Sequence, residues 1–102
     1  MASAALVEIV DDVAPVLSVL GNAKRLAIMC HLKEGELSVG AIAERVGLSQ
    51  SALSQHLARL REVDLVATRR ERQMVYYCCT PGMPPKLLDA LESLFTDLRI
   101  DA

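Results

Sequence analysis

Gly47, Leu48 and Ser49 stand between two short runs of helical periodicity, and a three-residue turn of this kind leaves the flanking helices few ways to pack. Before it, Ser38 is placed to cap a helix over residues 39–46, with Ile42, Ala43 and Val46 turned inward. Gly47 supplies the stop. After the turn, Ser49 caps a second helix running to about Val63, and Leu53, Leu57 and Leu60 fall on one of its faces. Two short helices joined by a tight glycine-containing turn make a helix-turn-helix, here over residues 38–63.

The residues that follow change period. Leu65 to Arg69 and Gln73 to Cys79 read as two strands, with Val66, Thr68, Val75, Tyr76 and Tyr77 as strand formers, so residues 65–79 form a hairpin. A helix-turn-helix followed by a hairpin is a winged helix. Both ends of the chain read as helices. Leu6, Ile9, Val10, Val13, Leu17 and Leu20 follow helical spacing, but Pro15 argues for two pieces, the second starting near Asp12 as N-cap. Asn22 caps a further helix through Lys33, ended by Gly35. Pro84 and Pro85 open a last amphipathic helix with apolar residues at 87, 88, 91, 94, 95 and 98. The expected fold is mainly α with a small β-hairpin: one winged helix-turn-helix domain over 1–102, its core at 12–79, with helical dimerisation elements at 1–20 and 84–100. With only three aromatic residues, Tyr76, Tyr77 and Phe95, the core must be aliphatic. The end helices carry more apolar surface than one domain of 102 residues buries, which points to a dimer.

Net charge of −2 argues against a chain that recruits nucleic acid through an overall positive field. Its distribution reverses that argument. Residues 45–79 hold six arginines against Glu62, Asp64 and Glu71, while both ends of the chain are acidic. The outer face of the second helix carries Gln50, Ser51, Ser54, Gln55 and Arg61, with no acid before Glu62. Amides and hydroxyls donate to and accept from base edges in the major groove, where acids would be repelled by phosphate. Arg69, Arg70 and Arg72 surround the hairpin tip, and arginines there reach phosphates or a narrow minor groove. A merely solvated helix face and a tip made soluble by charge are the competing readings.

The segments Leu37-Ser38-Val39-Gly40, Val46-Gly47-Leu48-Ser49-Gln50-Ser51-Ala52-Leu53-Ser54-Gln55-His56-Leu57, Leu65-Val66-Ala67-Thr68-Arg69-Arg70 and Val75-Tyr76-Tyr77 resemble the ArsR/SmtB-type winged-helix repressors, in the NolR/HlyU/BigR-like branch. The resemblance spans roughly residues 12–98. It implies a homodimer, paired through its terminal helices, that binds double-stranded DNA at an inverted-repeat operator and represses transcription, in the cytoplasm to which the odd number of cysteines and the expected lack of a signal peptide also point. It also implies Gln50, Ser51, Ser54, Gln55 and His56 as contacts of the recognition helix and Arg72 as a contact of the wing. Asp64 departs from the family pattern, which has Gly or Asn there, and Arg70-Glu71-Arg72 lacks the usual wing glycine. For His56, contact with the sugar-phosphate backbone and simple packing both remain open, since the helical wheel sets it off the exposed face.

The family's metal signatures are not matched. Glu36-Leu37-Ser38-Val39-Gly40 lacks both thiols of the arsenic-type and cadmium-type site, and residues 85–100 contain no His for a zinc-type site. No metal and no cofactor is expected. Cys30, Cys78 and Cys79 are an odd number of irregularly spaced cysteines, which suits free thiols. Cys30 matches the second-helix cysteine of some relatives, but Thr96 stands near their partner position. A redox or sulfide response would therefore need Cys30 with Cys78 or Cys79, and simple core packing of Cys30 is the alternative. The first Lys is Lys24 and Glu8, Asp11 and Asp12 interrupt the early apolar stretch, so neither a signal peptide nor a membrane span is expected. His31 and His56 lack the neighbours of a catalytic constellation, and an enzyme is not expected. A winged-helix interaction module that binds no DNA is the second reading, and duplex binding separates the two.

Overall fold

A computed structural model describes residues 3 to 101, the side chains of 98–101 excepted, so the apolar contact expected at position 98 lies outside the described residues. Nine elements follow in order: α1 (Ala4–Glu8), α2 (Val10–Leu20), α3 (Ala23–Glu34), β1 (Leu37–Ser38), α4 (Val39–Val46), α5 (Gln50–Glu62), β2 (Val66–Glu71), β3 (Met74–Cys79) and α6 (Met83–Asp101).

Caps set the helix starts around the turn. Ser38 Oγ accepts from the Ala41 N–H at 3.2 Å, and Ser49 Oγ accepts from the Ala52 N–H at 3.1 Å. Gly47, at φ 68°, turns the chain left-handed between α4 and α5, a conformation that costs glycine no steric clash. Leu53, Leu57 and Leu60 on α5 are buried against Ile28, Met29 and Leu32 of α3 and Ile42, Ala43 and Val46 of α4. Leu65 and Val66 carry the same core into the hairpin, which it meets at Tyr77.

Three differences from the sequence reading have physical causes. The N-terminal break falls at Ile9, and Asp12 lies inside α2 instead of capping it. Pro15 is tolerated as the sixth residue of α2, because the one acceptor it leaves free, the Asp11 carbonyl, belongs to an exposed residue that water reaches. The hairpin gains a third strand: β1 pairs antiparallel with β3, giving the order β1-β3-β2. Two residues are too few to show a period of two. α6 also starts at Met83, one residue ahead of the prolines.

α1 buries none of its residues. Leu6, Val7, Ile9, Val10 and Leu17 at one end of the chain, and Leu94 and Phe95 on α6, remain about half exposed or more. Among the described residues no single helix is long and apolar enough to cross a membrane.

Candidate nucleic-acid interface

α5 is seated by its leucines, so its opposite face is fixed in direction as well as in composition. Gln50, Ser51, Ser54, Gln55 and Arg61 are all exposed on it, while His56 is half-buried at its margin. Ser54 Oγ donates to the Gln50 carbonyl at 2.9 Å, which commits its proton to the helix and leaves its oxygen as an acceptor. Gln50, Ser51 and Gln55 therefore carry the amide and hydroxyl donors of the face. Arg59, one turn beyond Gln55, was missed by the sequence reading. It is exposed and lies 3.8 Å from Glu62, a loose surface pair. The signal for it was the same four-residue spacing that marked the rest of the face.

The three wing arginines are not equivalent. Arg69 and Tyr76 are cross-strand partners, and the Arg69 guanidinium lies 4.6 Å from the Tyr76 ring centroid. Arg69 Nε and Nη2 both donate to the Glu36 carboxylate at 2.7 Å, and Nη1 donates to Glu71 at 3.0 Å. These bonds hold the Glu36 carboxyl below its ordinary range and push the Arg69 guanidinium further above its own. Because β1 and β2 are the two edges of the sheet, Arg69 acts as a strap from one edge to the other across Tyr76 on the central strand. Arg70 stands on the opposite face of β2, as strand alternation requires. Neither Arg70 nor Arg72 is in an ion pair among the described residues, so they are the unpaired cations of the wing.

Arg72 and Asp64 take left-handed backbone, each at φ 57°. Asp64 is the position where the resemblance leads one to expect Gly or Asn, and Arg72 belongs to the wing segment Arg70-Glu71-Arg72 that lacks the usual glycine. Both residues accept the strain of a Cβ in that conformation.

The cysteines lie apart from this face. Cys30 is exposed on α3, Cys78 and Cys79 are half-buried on β3, and all three are free thiols. Burial, with Cys78 beside it, pushes the Cys79 thiol up against the opposing pull of Lys33, which disfavours the reactive thiolate. Cys30 borders a groove of about 550 Å³ between α3 and α6, lined also by Leu88 and Phe95. At its rim Lys33 forms an ion pair with Asp89 and lies 3.7 Å from Glu92, and the bond to Asp89 raises the Lys33 pKa. Among the described residues no three His, Cys, Asp or Glu side chains converge as metal ligands.

Comparison with known proteins agrees with this geometry. Residues 22–68 match the model of the family described as bacterial regulatory protein, arsR family. The chain is 49% identical over 81 residues to the nodulation protein NolR of Rhizobium meliloti, an alignment covering 79% of this chain and 66% of NolR, just under two thirds. It is similar to the crystal structure of the transcriptional repressor BigR from Xylella fastidiosa, with TM-score 0.85 and 36% identity over 93% of this chain and 97% of BigR. A second similar structure is Mb0332 (fragment 1-100) from Mycobacterium bovis, described as a homodimeric winged helix-turn-helix DNA-binding domain. There the TM-score is 0.77 with 33% identity, covering 98% of this chain and 92% of the other.

Proposed function

The chain belongs to the arsR family of bacterial regulatory proteins, and from that premise we propose that it is a homodimeric repressor reading an inverted-repeat operator with α5 in the major groove and the wing beside it. The observation that carries this is the acid-free face of Gln50, Ser51, Ser54 and Gln55, held outward by three buried leucines, together with the exposed wing cations Arg70 and Arg72, which are in no ion pair among the described residues. Gln50 and Gln55 are assigned to base edges, where an amide pairs with adenine in two hydrogen bonds. Ser51 takes a shorter base or sugar-phosphate contact, Ser54 accepts from a base-edge amino group, and Arg61, Arg70 and Arg72 take phosphates. Arg69 braces the wing from within.

Dimerisation follows from the unpartnered apolar surface on α1, α2 and α6. Phe95 and Leu94 are each 61% exposed and Leu17 is 56% exposed. A second copy covers such a surface most simply by two-fold symmetry, which matches a palindromic site with half-sites about 34 Å apart. Repression then needs no chemistry beyond occupancy, and the cytoplasm, where DNA is met, is the proposed compartment. Footprinting on the promoter region upstream of the protein's own gene tests the assignment: two symmetric protected half-sites support it, and absence of duplex binding at physiological salt favours the interaction-module reading.

A further inference from the structure

The corner between α2 and α3 is held by one side chain that also touches the recognition helix. α2 and α3 meet at 97°. At this bend the Arg25 N–H donates to Asn22 Oδ1 at 3.1 Å, which fixes the first turn of α3. The Arg25 side chain then divides. Nε donates to the Val19 carbonyl at 2.6 Å, one of the last carbonyls of α2, which have no partner within their own helix. Nη1 lies 3.3 Å from Nδ1 of His56 on α5. The neighbouring Lys24 does the same for α4, donating from Nζ to the Val46 carbonyl at 2.6 Å. Lys24 ends there, whereas Arg25 continues to the helix proposed to enter the groove.

A guanidinium has five donors and no acceptor, so the contact with His56 is a hydrogen bond only if Nδ1 carries the lone pair. The ring proton then resides on Nε2. Resting on the proposed DNA-binding reading, we infer that Arg25 is a positioning residue for recognition: it holds His56 as the Nε2–H tautomer, so that α5 offers a donor, never an acceptor, to a phosphate oxygen at the margin of the groove. A phosphate oxygen only accepts, and a freely exchanging imidazole would meet it with the wrong tautomer part of the time. The same guanidinium ties that ring to the end of α2, beside the surface assigned to dimerisation, so the setting of α2 reaches the DNA-facing helix through one residue.

Two measurements on the full chain test this. In two-bond proton–nitrogen spectra, wild-type His56 should show an unprotonated Nδ1 and a protonated Nε2. Arg25→Lys, whose single nitrogen cannot occupy the Nε and Nη1 positions together, should lose that signature while His31 keeps its own. In duplex titrations Arg25→Met should weaken binding roughly tenfold, the scale of one charge-assisted hydrogen bond, to the operator and to an unrelated duplex alike, because a phosphate contact carries no sequence information. Added to His56→Ala, Arg25→Met should cost little more, because both remove one contact. A wild-type His56 protonated on Nδ1, a tautomer unchanged in Arg25→Lys, or additive losses in the double variant would overturn the inference. A wild-type chain that shows no preference among duplexes overturns the DNA reading instead, and the spectra still decide the Arg25–His56 bond.

Discussion

Arg69 and Glu36, 33 positions apart in sequence, form a two-pronged ion pair with both N–O distances at 2.7 Å, and the pair straps β2 to the segment entering β1 across the ring of Tyr76. Such fork-to-fork pairs fix direction as well as distance. Here the direction fixed is that of the wing.

The strap gives the wing a pH dependence with a definite sign. Arg69 holds the folded Glu36 carboxyl below its ordinary pKa of 4.5, so its contribution is complete above that value and is lost as the pH falls through the lower, folded one. A carbon-detected titration should place the Glu36 midpoint below 4.5, and Arg69→Gln should return it towards the ordinary value.

Wing charge and wing strain meet at one residue. Arg72, in no ion pair among the described residues, sits at a left-handed φ of 57°, so Arg72→Gly should remove the phosphate contact proposed for it and relieve the turn together. The slope of log affinity against log salt should flatten by about 0.9, and stability should rise by up to about 1 kcal/mol. Salt-dependent anisotropy and urea melts read the two effects independently.

Leu60 faces the core with no exposed surface, and its removal should be felt in folding rather than in base preference. Leu60→Ala should cost about 2–5 kcal/mol in urea denaturation, while any folded fraction keeps the wild-type order of duplex preferences.

The apolar ends should govern assembly. Phe95→Glu, at a side chain 61% exposed in the single chain, should convert a dimer to monomer in analytical ultracentrifugation and lower operator affinity with it. The same substitution should leave the monomer's circular dichroism unchanged, since little of the core rests on that ring.

What was legible in the sequence was local. Ser38, Ser49 and Asn22 announce their helices because a hydroxyl or amide before an apolar period serves free N–H groups, and all three accept from the N–H expected of a cap. Leu53, Leu57 and Leu60 announce their face through spacing alone. The strap of Arg69 was not legible, since nothing within ten residues of it points to Glu36, and the three wing arginines read as equals. β1 was hidden for a related reason: Leu37 and Ser38 become a strand only because Tyr77 and Tyr76 lie opposite. Arg25 carried no pattern at all, and its tie to His56 comes from the packing of α3 on α5. Pro15 shows the reverse error, a strong local signal for a break that an exposed helix face absorbs.

The central claim is that the amide face of α5 reads base sequence. Selection of duplexes from a randomised pool by the wild-type chain and by Gln55→Ala tests it most directly. The wild type should enrich a two-fold symmetric site, and Gln55→Ala should bind that site more weakly by about 1–3 kcal/mol, with preference relaxed at one symmetric pair of positions. Enrichment of no common sequence by the wild type, or an identical preference in Gln55→Ala, would contradict it.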